Sequence, residues 1–242
     1  MKDASHWYSQ PINQHIRLVR WGHYGTPVLL FPTAGGDAEE VERFGLIEAL
    51  GPLMHDGRIK VYSCDSINGQ AWISGQHSAR HCSWLQNAFD TTIYREVVPA
   101  IHADCRNDSL PIISAGASIG AYNALASLCR HPDVFGCAIG MSGTYDLEKL
   151  LEGQFNDDFY FSSPLHYLPA LADGPQLSTL RERFAVFAFG RGRWENPDQS
   201  WRLANLLGDK GVPNRVDEWG PQHDHDWPAW REMLPTYLNE LA

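Results

Sequence analysis

Short apolar runs alternate with longer amphipathic stretches along the chain. The apolar runs predict strands over 26–31, 59–64, 110–114, 135–141, 183–189 and 214–219. Apolar residues at helical spacing predict helices over 37–50, 89–103, 119–130, 199–210 and 227–241, the first of them capped by Asp37. This alternation is typical of an α/β fold, in which crossover helices flank a mostly parallel central sheet.

One long stretch, approximately 147–182, carries no strand signal. Aromatic side chains are frequent in it and stand among Gly and Pro, namely Phe155, Phe159, Tyr160, Phe161 and Tyr167. An irregular insertion of this length in a compact domain is typically a lid or a binding loop. A pair of surface helices over a small satellite core has the same composition, so both interpretations stay open at this stage.

Composition narrows the class of protein. A length of 242 residues fits a single α/β domain over 1–242. The formal net charge of -10 argues against nucleic acid as a partner, because an acidic surface repels phosphate. No apolar run approaches the roughly 18 residues of a membrane span, and the first residues lack an apolar signal core. The five cysteines include no short-spaced pair, so we expect free thiols in a cytoplasmic protein.

A G-x-S-x-G pattern occupies 116–120, directly between a predicted strand and a predicted helix. A strand, a sharp turn and a helix are what a nucleophile elbow requires, which makes Ser118 the candidate nucleophile. A Cβ at Gly116 or Gly120 would crowd such a turn. The backbone N–H of Ile119, at the helix start, would face a developing oxyanion. The alternative is a glycine-rich helix start whose serine is only a cap.

A nucleophilic serine needs a base and an acid, and in this kind of fold the chain order is serine, acid, histidine. The loop after the last predicted strand offers His223 and His225 as candidate bases. The loop after the 183–189 strand offers Glu195 and Asp198 as candidate acids, and Asp198 is also placed to cap the following helix. The first central strand ends in the 31–36 loop, whose glycines let the backbone approach a substrate and supply a second oxyanion donor.

Several segments, spread in order over nearly the whole chain, resemble the esterase D-like branch of the α/β-hydrolases, which also contains the mycolyltransferases. They are 31–37, the elbow around Ser118, 141–146, 190–195 and 225–230. The last resembles the family's His-x-Trp-x-x-Trp-like segment, which begins with the catalytic histidine. The resemblance implies an α/β-hydrolase fold, His225 rather than His223 as base, and Glu195 as acid.

The same resemblance implies Ala34 as an oxyanion donor beside Ile119. The loop carries Pro32-Thr33 where many relatives carry His-Gly, so Thr33 and Gly35 remain alternative donors. Triad chemistry requires neither a metal nor an organic cofactor, and none is expected. The His-Asp-His-Asp run at 223–226 is less specific for a metal than helical H-E-x-x-H spacing, and it already supplies His225 as base.

The expected function is hydrolysis of a small-molecule carboxylic ester or thioester through an acyl-enzyme intermediate. An acyltransferase with an alcohol acceptor would use the same triad, and a non-catalytic hydrolase-fold module that binds a ligand would keep only the architecture. The sequence indicates no oligomeric state and no particular acyl group.

Overall fold

The computed structural model describes residues 2–242 and contains one eight-stranded sheet in the order β1-β2-β4-β3-β5-β6-β7-β8. β1 and β2 are antiparallel to their neighbours, whereas β4, β3, β5, β6, β7 and β8 run parallel. The strands are β1 (Lys2–Ser9), β2 (Gln14–Trp21), β3 (Thr26–Phe31), β4 (Ile59–Cys64), β5 (Ile112–Ala117), β6 (Phe135–Met141), β7 (Phe184–Phe189) and β8 (Asn214–Glu218). The expected mostly parallel sheet is therefore confirmed.

Helices cover both faces of the sheet. They are α1 (Glu40–Arg43), α2 (Leu46–Ala49), α3 (Gly51–His55), α4 (Ile67–Ser74), α5 (Ala79–Thr92), α6 (Val98–Cys105), α7 (Ile119–Arg130), α8 (Asp157–Ser162), α9 (Pro164–Tyr167), α10 (Pro175–Leu180), α11 (Pro197–Asp209) and α12 (Trp227–Leu241). One apolar cluster gathers side chains of α1, α2, α3 and α12, and the other those of α4 to α11. Each cluster packs on one face of the sheet, as in a doubly wound α/β architecture.

Two predicted helices differ from the structure. The stretch 37–50 forms short helices rather than one, because Gly45 takes a left-handed backbone with φ 76° between α1 and α2. Asp37 does not cap a helix; its Oδ1 accepts the Glu39 amide at 2.8 Å in a local turn. The helix predicted over 89–103 begins earlier, at Ala79, and passes through a π-helical turn (Ile93–Val97) into α6.

The stretch 147–182 is a run of short helices, α8, α9 and α10, with 3-10 turns at Glu148–Leu151 and Leu168–Ala170. Its apolar side chains, such as Phe159 and Leu168, join the same core cluster as the sheet rather than a satellite core. The buried Tyr122 hydroxyl of α7 donates to the Ser162 carbonyl at 3.0 Å, which ties α8 to the helix that follows the elbow. This segment is thus built into one face of the molecule.

Candidate active site

Ser118 lies in a strained turn between β5 and α7. Its backbone has φ 56° and ψ -123°, a conformation that a non-glycine residue seldom adopts and that costs roughly 1–3 kcal/mol. Three backbone hydrogen bonds hold it: the Ser118 amide donates to the Met141 carbonyl at 3.0 Å, and the amides of Ala121 and Thr144 both donate to the Ser118 carbonyl at 3.1 Å. The structure therefore has the geometry of a nucleophile elbow at the carboxyl end of the central strand.

The glycines on either side of Ser118 allow this turn to pack closely. A Cβ built on Gly116 would overlap the backbone of Gly120, and one built on Gly120 would overlap the carbonyl oxygens of Phe31 and Pro32. The crowding expected at both glycines is confirmed. As a result, the first turn of α7 touches the loop that follows β3.

That loop presents a limited set of free amides. The Thr33 amide and hydroxyl both donate to the Glu40 carboxylate, each at 2.7 Å, and the Gly36 amide donates to the Thr33 carbonyl at 3.0 Å. Within residues 2–242 the amides of Ala34, Gly35 and Ile119 have no acceptor. The N–H groups of Ala34 and Ile119 are thus available to an oxyanion, whereas the Thr33 amide is already hydrogen-bonded to Glu40.

Glu195 is almost completely enclosed, with a side chain 2% exposed. Its Oε1 accepts the Ser142 hydroxyl at 2.6 Å and the Gly190 amide at 3.0 Å. The Ser142 oxygen in turn accepts the indole N–H of Trp230 at 2.9 Å. Burial raises the pKa of the Glu195 carboxyl, and the two donors oppose that rise by stabilising the charged form.

His225 lies beside Glu195, in the loop between β8 and α12. Its Nδ1 is 3.9 Å from Glu195 Oε2, and its ring meets Trp230 edge-to-face at 5.3 Å. The His225 amide donates to the Arg193 carbonyl at 3.0 Å, which fixes the loop against the segment that carries Glu195. Burial lowers the pKa of the His225 imidazole below its ordinary value of 6.5, so the neutral base is favoured.

Close backbone packing brings the two loops together. The Gly192 amide donates to the His223 carbonyl at 3.0 Å. Cβ atoms built on Gly190 and Gly192 would overlap the backbone of His223 and the side chain of Asp224, so glycine is required at both positions. Arg193 closes the contact with an ion pair to Asp224 at 2.7 Å.

The alternative base and acid lie in other surroundings. The His223 ring is engaged, with Nδ1 2.7 Å from the Trp219 carbonyl and Nε2 3.1 Å from Glu232 Oε2. Asp198 is exposed in the first turn of α11, where Asn196 is the residue at the N-cap position. Within the part of the chain that the structure describes, neither side chain forms a hydrogen bond or an ion pair with His225 or Glu195.

Ser118 joins this group through β6. The Met141 carbonyl bonds the Ser118 amide, and the next residue, Ser142, bonds Glu195. Across residues 2–242, neither the Ser118 hydroxyl nor the His225 ring forms a hydrogen bond, and the His225–Glu195 separation exceeds hydrogen-bond length. A hydrogen bond between His225 and Glu195 requires these two side chains to approach by about 1 Å, and catalytic hydrogen bonds often tighten when a substrate binds.

The roles of Ser142 and Trp230 were not predicted from the sequence. From the sequence, both residues stood out only as members of the family-like segments 141–146 and 225–230. A small polar residue directly after β6, the strand beside the nucleophile strand, is the sequence signal that marks Ser142. Its φ of 47° shows that the backbone there is held in an unusual conformation.

Within residues 2–242, no group of three or more His, Cys, Asp or Glu side chains is arranged to hold a metal ion, and no helix is both long and apolar enough to cross a bilayer.

A mostly parallel eight-stranded sheet, with a serine elbow after its central strand and a histidine after its last, defines an α/β-hydrolase. The chain belongs to the Esterase family: the model described as "Putative esterase" matches residues 64–241. It is therefore a carboxylesterase-type hydrolase, and its substrate is a small-molecule ester. This membership confirms the expected resemblance.

Comparison of structures agrees on the fold. A ferulic acid esterase superposes with a TM-score of 0.74 at 16% identity, over 99% of this chain and 98% of that one. An S-formylglutathione hydrolase from Agrobacterium tumefaciens gives 0.73 at 13% identity, over 99% and 94%. The fluorophosphonate-binding serine hydrolase F of Staphylococcus aureus gives 0.66 at 14% identity, over 99% and 97%. No curated protein sequence matches the chain.

Proposed function

We propose that the chain hydrolyses a carboxylic ester or thioester through an acyl-enzyme on Ser118, with His225 as general base and Glu195 as the acid of the triad. The observation that carries this proposal is the enclosed Glu195 carboxylate, 3.9 Å from His225 Nδ1, on the sheet edge where the Ser118 elbow ends β5. The nucleophile, the acid and the base that acyl transfer needs thus follow β5, β7 and β8, which run parallel in one sheet.

In the first half-reaction, Ser118 Oγ forms a bond to the acyl carbon while its proton passes to the neutral His225 ring. The resulting oxyanion accepts hydrogen bonds from the backbone N–H groups of Ala34 and Ile119, each worth about 10²–10³-fold in turnover. The carbon–oxygen or carbon–sulfur bond to the leaving group then breaks, and His225 protonates that group. Water, deprotonated by the same ring, attacks the acyl carbon and releases Ser118.

Glu195 acts on the ring rather than on the substrate. Its charge stabilises the imidazolium that forms in each half-reaction, and its position selects the tautomer that presents Nε2 to Ser118. The Ser142 hydroxyl and the Gly190 amide stabilise the ionised form of this buried carboxylate and oppose the rise that burial causes in its pKa. Without these two donors the pKa of Glu195 would rise further.

The test is hydrolysis of short p-nitrophenyl esters by the wild type and by Ser118→Ala, with Ser109→Ala as the matched control at an exposed serine. We expect kcat to fall by about 10⁴-fold or more for Ser118→Ala, because removal of a triad nucleophile costs that much or more. Ser109→Ala should equal the wild type. Equal rates for Ser118→Ala and the wild type would contradict the proposal.

Cytoplasmic location, absence of nucleic-acid binding and the choice of water rather than an alcohol as acceptor stay predictions. The last is checked by trapping the acyl-enzyme and comparing its decay with and without added alcohols. Faster decay in alcohol, with formation of a new ester, would assign the chain as an acyltransferase instead.

A further inference from the structure

A cavity of about 790 Å³ lies at the amino-terminal edge of the parallel strands. Its walls include Thr26 at the start of β3, Lys60 near the start of β4 and Arg106 just after α6. Ser118 follows the carboxyl end of β5. The length of this six-residue strand, about 20 Å, therefore separates the cavity from Ser118. The cavity is therefore not part of the candidate active site.

Positive charge is concentrated around this cavity. Four of its lining side chains are cationic, namely Arg20, Arg58, Lys60 and Arg106, whereas Asp104 is the acidic one. The chain as a whole carries a formal charge of -10, so this concentration opposes the general charge of the surface. A cleft lined by one sign of charge focuses the field and attracts counter-ions of the opposite sign.

Lys60 is the buried member of the group, with a side chain 8% exposed. Its Nζ lies 2.5 Å from Asp104 Oδ2, and the same carboxylate also pairs with Arg20 and accepts the Tyr62 hydroxyl at 2.7 Å. One carboxylate thus serves two cations and a hydroxyl. Lys60 and Arg20 both keep further N–H donors for a second acceptor.

Beyond Asp104, no acidic side chain among the described residues lines the cavity to neutralise its other cations. Arg20 also pairs with Asp3, an exposed residue that does not line the cavity. Arg58 donates to Asn239 and to the Ala242 oxygen at the end of α12. The exposed Arg106 has no acidic partner within residues 2–242. An anion that entered here would meet cationic side chains from β2, β4 and the end of α6.

We propose that this cavity binds a small phosphorylated molecule, with its phosphate held by Lys60, Arg20 and Arg106. A phosphate carries nearly two negative charges and several acceptor oxygens. It can therefore pair with the three cations that line the cavity more fully than the single Asp104 carboxylate can. Guanidinium groups favour such anions because their planar donors bind two oxygens at once. The volume exceeds that of free phosphate and lies within the range of small-molecule sites.

The test is isothermal titration of the full chain with inorganic pyrophosphate at low ionic strength. We expect saturable binding at one site, weakened at least tenfold by Lys60→Met and by Arg106→Gln. Arg106 is exposed, so its substitution tests the site even where loss of the buried Lys60 destabilises the fold. Arg95→Gln, at an exposed arginine outside the cavity, is the matched control and should bind as the wild type does.

Ser118→Ala should also bind pyrophosphate as tightly as the wild type, because the two sites lie on opposite edges of the sheet. The proposal is wrong if pyrophosphate shows no saturable binding. It is equally wrong if Arg106→Gln binds as tightly as the wild type, or if Arg95→Gln weakens binding as much as Arg106→Gln does. In those cases Lys60 and Arg20 serve only the ion pairs with Asp104.

Discussion

Replacing Ser142 tests how the buried acid is held. Ser142→Ala removes the hydroxyl that donates to Glu195 Oε1 at 2.6 Å and accepts from Trp230 at 2.9 Å. A hydrogen bond to a charged group is worth about 1.5–3 kcal/mol. If the whole of that loss appears in the transition state, kcat/KM falls about 10- to 150-fold, since 1.36 kcal/mol is a factor of ten.

The pH profile separates this effect from simple loss of packing. The Ser142 donor lowers the pKa of Glu195, so its removal raises that pKa further. The ionised carboxylate is then lost at higher pH as the solution is acidified, and the acidic limb of kcat/KM moves upward. A change that acted only on packing would lower the rate without this displacement.

Ser142→Gly is the matched variant, because Ser142 has a φ of 47° that glycine adopts without strain. If the hydroxyl matters, the alanine and glycine variants should be slowed alike and show the same displaced limb. Kinetics with p-nitrophenyl acetate over pH 5–9 measure both quantities. Rates within twofold of the wild type for both variants, with unchanged limbs, would refute this account of Glu195.

Three further outcomes follow from the site and its packing. The acidic limb of wild-type kcat/KM should have its midpoint below pH 6.5, because burial lowers the pKa of His225 and the neutral base persists to lower pH. A midpoint above pH 6.5 would contradict this prediction. Gly120→Ala should destabilise the fold by about 2 kcal/mol or more in urea unfolding, since its Cβ would overlap the Phe31 carbonyl, whereas Gly51→Ala, with open space around it, should not. His225→Asn should lower kcat about 10⁴-fold. His223→Asn should keep kcat within about fivefold and lower only the melting temperature, as expected for loss of a buried hydrogen bond of about 1 kcal/mol. Equal losses of kcat in the two variants would contradict the choice of His225 as base.

The strands β3 to β7 were predictable because they are almost entirely buried and appear as mostly apolar runs. The β5 strand, for example, extends to Ala117, and all six of its residues are buried. The antiparallel pair β1 and β2 was not predicted. Most of β1 is exposed, and its polar side chains give no apolar run for a pattern to detect.

The elbow could be predicted because its chemistry is local: two glycines and a serine between a strand and a helix. The pairing of His225 with Glu195 is not local, since it depends on contacts between two loops thirty residues apart. Family resemblance, rather than spacing, selected both residues. Ser142 and Trp230 were missed for the same reason, because the bond between them joins residues 88 positions apart.

The most direct test of the account is mass-spectrometric mapping of a fluorophosphonate adduct on the wild type and on His225→Asn. We expect a single adduct on Ser118 in the wild type, formed far more slowly when His225 is replaced. A wild-type protein that remains unlabelled while folded, or that carries the adduct on another residue, would contradict it.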